Sequence, residues 1–247
     1  MIASEKQKIA EFLDLAGDFL SSGYRSAPKE YEFKDDEPAP GAKKTVESGT
    51  AQKDGVDTIE KVAAEVRACN RCNLGGTRTN AAPGEGVTQP LVLVIGEGPG
   101  AEEDAKGRPF VGRAGQLLDK MLASIQLSRN TNCFIANVVK CRPPNNRDPY
   151  PEETAACASF LQRQIVLLKP KFILVAGRIA AQTLLKTTEP IGKLRGKIKE
   201  LSVEGMTIPI LITYHPAALL RNEELKRPVW EDLKLLRLKL EEPGGGS

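Results

Sequence analysis

Four cysteines carry the first chemical signal: Cys69-x2-Cys72, then Cys141, then Cys157. A Cys-x-x-Cys pair alone also occurs in redox motifs. Two further cysteines at separated positions complete a four-thiolate set of the kind that holds zinc or an iron–sulfur cluster. Cys133 stands apart, in the apolar run Asn132-Cys133-Phe134-Ile135-Ala136-Asn137, where a free cysteine behaves as a small core hydrophobe. His215 is the only histidine. It follows an apolar run and precedes Pro216, which favours an extended backbone at His215. Gly96-Glu97-Gly98-Pro99-Gly100-Ala101 formally satisfies the G-x-G-x-x-A dinucleotide fingerprint. Pro99, however, removes a backbone donor where pyrophosphate would sit, and Glu102, Glu103 and Asp104 place negative charge against it. The clear helical pattern begins only after Gly112, so this loop is expected to serve another ligand.

These residues must be positioned by a repeated strand–helix pattern. Apolar, β-rich runs at 91–95, 133–139, 172–176 and 208–213 alternate with helical stretches near 114–125, 152–168, 178–185 and 229–240. Continuous rather than alternating hydrophobicity predicts strands buried on both faces, as in a parallel sheet covered by helices. In open sheets of this kind ligands bind beyond the carboxyl ends of the strands. The 96–100 loop, the 137–142 segment, Gly177-Arg178 and Tyr214-His215-Pro216 would then meet at one site.

At 247 residues, 40% apolar and 27% charged, the composition is that of a globular protein. The longest apolar runs fall far short of the roughly eighteen residues of a membrane helix, and no secretory signal is read at the start. A reducing cytoplasm is the expected compartment, with no membrane partner. Residues 1–58 hold eight Lys/Arg against twelve Asp/Glu, a net of −4, which leaves +7 on residues 59–247. A basic body of this kind fits a polyanionic partner. Ile9, Phe12, Leu13, Ala16, Phe19 and Leu20 share one face of a short amphipathic helix. Residues 21–56 read as a disordered linker, poor in apolar residues. The expected organisation is a helix and linker over 1–57, one domain over 58–241 and a flexible tail over 242–247.

Four motifs in order, Gly96-Glu97-Gly98-Pro99-Gly100, Gly107-Arg108-Pro109-Phe110-Val111-Gly112-Arg113-Ala114-Gly115, Asn137-Val138-Val139-Lys140-Cys141-Arg142-Pro143-Pro144 and His215-Pro216-Ala217-Ala218-Leu219-Leu220-Arg221, closely resemble the family 4 uracil-DNA glycosylases. The resemblance runs from about Thr58 to Leu240. It implies a single three-layer α/β/α domain with a four-stranded parallel sheet and a [4Fe–4S] cluster held by Cys69, Cys72, Cys141 and Cys157. Zinc stays open on spacing alone. The implied activity is hydrolysis of the N-glycosidic bond of uracil in DNA, single- or double-stranded, by a monomer.

The residue types suit that chemistry. A base-removing enzyme flips the base into a pocket and reads its edge. One Asn amide offers an oxygen and an NH₂, so Asn137 would accept from uracil N3–H and donate to O4. By resemblance Phe110 stacks on the ring, and Gly98 and Gly100 lie against the base. His215, helped by backbone N–H groups of the 96–100 loop, donates to O2 as negative charge develops there. Glu97 would orient water or stabilise the sugar cation, with Asp104 a second carboxylate nearby. Leu219 or Leu220 would wedge into the duplex. Lys140, Arg142, Arg147, Lys193, Arg195, Lys197, Lys199 and Arg221 are expected to contact phosphates. Two departures stand out: Gly98 replaces the family's usual Ala, and Ala217 replaces its usual Ser.

Overall fold

The computed structural model describes residues 57–242, so the amphipathic segment at 9–20, the linker over 21–56 and the glycine-rich end lie outside the described residues. Strands β1 (Glu85–Gly86), β2 (Val92–Gly96), β3 (Cys133–Asn137), β4 (Phe172–Ala176), β5 (Ile198–Val203) and β6 (Met206–Thr213) form one sheet in the order β1-β3-β2-β4-β6-β5. The central strands β3, β2, β4 and β6 pair in parallel, whereas β1 is antiparallel to β3 and β5 antiparallel to β6. The four expected strands do pair in parallel, and two antiparallel edge strands extend them to a six-stranded mixed sheet. The reason is local. β5 buries only Leu201 fully, so it lacks the continuous apolar run that marks a central strand. It joins β6 through Glu204-Gly205, with φ of +47° and +79°, the two left-handed residues of a tight hairpin turn.

The α-helices are α1 (Ile59–Ala68), α2 (Leu74–Thr77), α3 (Ala101–Lys106), α4 (Arg113–Ala123), α5 (Pro151–Leu168), α6 (Arg178–Leu185), α7 (Ile191–Leu194), α8 (Pro216–Arg221) and α9 (Lys226–Glu241). Because β2, β3 and β4 are buried along their whole length, alternate residues feed two apolar clusters. Leu93, Ile95, Ala136 and Val175 pack with Val62 and Val66 of α1 and with Phe160 and Ile165 of α5. Val92, Val94, Ile135 and Leu174 pack with Leu118 and Met121 of α4 and with Val229 and Leu233 of α9. Cys133 belongs to the second cluster, and burial pushes its thiol up to about 12, so it is an inert core side chain.

Helix α3 corrects the expectation that the helical pattern after the 96–100 loop begins only past Gly112. Gly100 is its N-cap, and Glu103 in its first turn accepts from the Gly100 N–H at 3.1 Å. No helix among the described residues is long and apolar enough to cross a membrane.

Candidate active site and the four-cysteine cavity

The carboxyl ends of β2, β3, β4 and β6 deliver Glu97, Asn137, Arg178 and His215 to one cavity of about 480 Å³. That size is within the range of small-ligand sites. Gly98, Gly100, Phe110, Arg147 and Arg221 also line it, as do Glu103, Asn146 and Asp148, to which the sequence assigns no part in the site.

Asn137 is 1% exposed, and neither its Oδ1 nor its Nδ2 has a hydrogen-bond partner. An orphaned buried polar group costs about 1–3 kcal/mol, so an amide with both ends unpaired beside a cavity is poised for a ligand edge. Its backbone is held instead. Lys140 Nζ donates to Asn137 O at 2.8 Å, and Val138 N–H donates to Gly96 O at 2.9 Å. No neighbouring side chain fixes which end of the amide is oxygen, so the bound base selects it.

Phe110 forms the wall beside His215, their ring centroids 5.5 Å apart and tilted by 31°. Its φ of +52° is left-handed, a conformation costing a non-glycine residue about 1–3 kcal/mol. Two glycines make room. A Cβ on Gly96 would fall 2.4 Å from the Phe110 ring and 2.5 Å from Asn137 Oδ1, and one on Gly115 would fall 2.0 Å from the Phe110 carbonyl.

His215 caps α8, and its Nδ1 accepts from Ala217 N–H at 3.2 Å. An accepting Nδ1 places the proton of the neutral ring on Nε2. Burial, then the Arg221 charge, bring the imidazole down to about 4 against the opposing Glu103. At neutral pH His215 is therefore a neutral Nε2–H donor. The backbone of residue 217 fixes this tautomer, so the Ala217 departure leaves it intact.

Burial pushes Glu97 up to about 7, with Asp148 adding to the shift and Arg178 opposing it. Arg178 and Asp148 pair at 2.6 Å on the cavity wall. If the ionised carboxylate acts, single-turnover rates should rise from pH 5, pass half-maximum near 7 and level above it. The same shift has the opposite sign for folding. A raised carboxylate gives the folded state more protons between its ordinary value of 4.5 and about 7, so its stability contribution falls as pH rises through that window. Glu97→Gln should be slow and flat over pH 5–9; a rate that keeps the parent's limb would assign it to another group.

Several expected residues lie elsewhere. Asp104 does not line the cavity; its Oδ1 accepts from Thr79 N–H at 2.9 Å and Asn80 N–H at 3.3 Å, tying α3 to the 79–80 segment. Its neighbour Glu103 takes the site-building part, accepting from Val111 and Gly112 N–H at 2.8 Å each and joining the 96–100 loop to the Phe110 loop. The Gly100 N–H is thereby engaged and is not a free donor for the base. Leu219 is fully buried in the second apolar cluster, while Leu220 is 44% exposed. Lys140 is buried, bonded to Asn137 O and to Gln164 Oε1 at 2.6 Å, and does not face phosphate. Arg195 is paired with buried Asp232, which also accepts from Thr213 Oγ1 at 2.6 Å. Arg142 bonds Asn146 Oδ1 at 2.9 Å beside the cavity, and Lys197 and Arg221 are exposed.

A second, smaller cavity is lined by all four expected cysteines, brought there by the end of α1, the loop before α2, the segment after β3 and the middle of α5. None forms a disulfide. Donors point at three of the sulfurs: Arg78 Nη1 to Cys141 Sγ at 2.9 Å, Lys140 N–H to Cys157 Sγ at 3.4 Å and Arg71 N–H to Cys69 Sγ at 3.5 Å. Burial holds the Cys141 and Cys157 thiols above their ordinary range, and the Arg78 and Lys140 contacts oppose that shift. Among the described residues, no three His, Cys, Asp or Glu side chains converge as ligands of one metal ion. The four cysteines line one cavity instead.

The class of protein follows from known relatives. The uracil DNA glycosylase superfamily profile matches residues 83–234. The chain is 43% identical over 186 residues to the type-4 uracil-DNA glycosylase of Sulfurisphaera tokodaii, spanning 74% of this chain and 84% of that one. It is 42% identical over 191 residues to the type-4 uracil-DNA glycosylase of Thermotoga maritima, spanning 76% and 97%. The type-5 uracil-DNA glycosylase of Thermus thermophilus is 36% identical over 117 residues. This chain belongs to the type-4 uracil-DNA glycosylase family.

Proposed function

We propose that the protein hydrolyses the N-glycosidic bond of uracil in DNA, releasing free uracil and leaving an abasic site. The observation that carries this reading is the buried, unpartnered Asn137 amide in a cavity walled by Phe110 and His215. A flipped uracil offers N3–H and O4 to that amide, stacks on Phe110 and presents O2 to His215 Nε2–H. When the C1′–N1 bond breaks, its electron pair stays on uracil and spreads onto O2. A neutral donor already aimed there stabilises that charge more in the transition state than in the ground state. Glu97, half-buried on the same wall, stabilises the sugar cation and orients the water whose oxygen bonds to C1′. Arg142, Lys197 and Arg221 would contact phosphates, and Leu220, exposed where Leu219 is buried, would be the duplex wedge.

Four cysteines lining one cavity suit a [4Fe–4S] cluster, in which each cysteine holds its own iron. Cys69, Cys72, Cys141 and Cys157 would hold the cluster, which would staple α1, β3 and α5 together. The reading is tested by incubating as-purified protein with a uracil-containing oligonucleotide and recording its visible spectrum in the same sample. Free uracil, an alkali-labile strand and a broad brown absorbance are expected. An intact strand would contradict the activity, and stoichiometric zinc without iron in anaerobic preparations would contradict the cluster.

A further inference from the structure

Arg129 lies in the turn between α4 and β3, outside the cavity, and only 8% of it is exposed. Its guanidinium donates from Nη1 to Pro109 O at 3.0 Å and from Nη2 to Phe110 O at 2.7 Å. Asp119 Oδ1 on α4 accepts from its Nε at 3.0 Å and its Nη2 at 2.9 Å. Glu85 Oε1 on β1 stands 3.7 Å from Nη1 while the same carboxylate chelates Arg108 at 2.6 and 2.7 Å. A planar fork held between two carboxylates thus grips two consecutive carbonyls.

The residue it grips is the one whose backbone is left-handed. Such a conformation persists in a non-glycine residue only where the surroundings over-determine it. Gly115 supplies room beneath the Phe110 carbonyl but no side chain to hold it. Glu103 holds the two amides that follow Phe110, and Arg129 holds the carbonyls on either side of its φ.

We propose that Arg129 is a positioning residue for base stacking: by fixing the carbonyls of Pro109 and Phe110 it keeps Phe110 left-handed and its ring in the plane beside His215. The inference rests on the stacking role proposed for Phe110. Arg129 touches no part of the base; without its grip Phe110 relaxes to an ordinary φ and the ring leaves the cavity wall.

A double-mutant cycle tests this. Single-turnover kcat/KM on a uracil-containing strand is measured for the parent, Arg129→Met, Phe110→Ala and the double variant, with melting recorded for each. Arg129→Met should lower kcat/KM by about tenfold in the parent background and by less than about twofold once Phe110 is alanine. Equal fractional losses in both backgrounds would overturn the proposal, since Arg129 would then act on the fold at large. A Phe110→Ala variant as fast as the parent would remove the stacking role itself, and the proposal with it. If Arg129→Met does not fold, Asp119→Asn goes through the same cycle. It frees one side of the fork at a half-exposed carboxylate, and a loss of about threefold that vanishes in Phe110→Ala is expected; a loss that persists there, or none in either background, overturns the proposal.

Discussion

Asn137→Ala is expected to slow uracil excision by about five- to a hundred-and-fiftyfold, the kinetic equivalent of leaving the buried uracil edge unpaired at about 1–3 kcal/mol. The same substitution should leave melting unchanged or raise it, because the amide it removes has no partner in the folded protein. Lost activity with retained stability separates a ligand-reading residue from a strand residue. Asn137→Asp should be slower still on uracil, since an ionised carboxylate accepts from N3–H but repels O4. Single-turnover strand cleavage with a melting curve for each variant checks all three statements. Parent-like rates in both variants would make Asn137 a structural residue of β3.

Removing one thiolate is expected to act on the fold first. Cys141→Ser should lower melting by at least about 10 °C, because binding at a structural metal site is coupled to folding and a domain of this size shifts by about 2–4 °C per kcal/mol. The cavity explains the size of the effect. Its four sulfurs tie α1 and the 69–72 loop to α5 and to the segment leaving β3, four residues beyond Asn137. Anaerobic iron chelation of the parent should reproduce the drop, and chelation of Cys141→Ser should add little to it. Full activity and unchanged melting after either treatment would remove the cluster from this account.

Much of the frame was legible because burial leaves a simple trace. Strands β2, β3 and β4 are covered on both faces and read as unbroken apolar runs. The edges left no such trace: β1 has only two residues, and β5 mixes polar and apolar positions around one buried leucine. Helix α3 was hidden by its length and by the carboxylates of its first turn. At the site, residue type and motif order placed Glu97, Phe110, Asn137 and His215 on one cavity, but could not say which of two adjacent side chains faces it. Asp104 and Glu103 are neighbours on α3, and only Glu103 lines the cavity, as Leu220 rather than Leu219 is exposed on α8. Charge counting misled most at Lys140 and Arg195. A lysine whose ammonium bonds a carbonyl and a glutamine, and an arginine paired with a buried aspartate, look in sequence like any basic loop.

The central claim is that one cavity binds uracil by its edge and selects it by the charge it carries away. Uracil departs as an anion spread over two carbonyl oxygens, O2 facing the His215 donor and O4 facing Asn137, whereas cytosine has only one carbonyl. The most direct measurement is the single-turnover rate of the parent protein on two strands that differ only by uracil or cytosine at one position. Free uracil released from the first and an intact second strand is the predicted result; equal cleavage of both, or of neither, would contradict it.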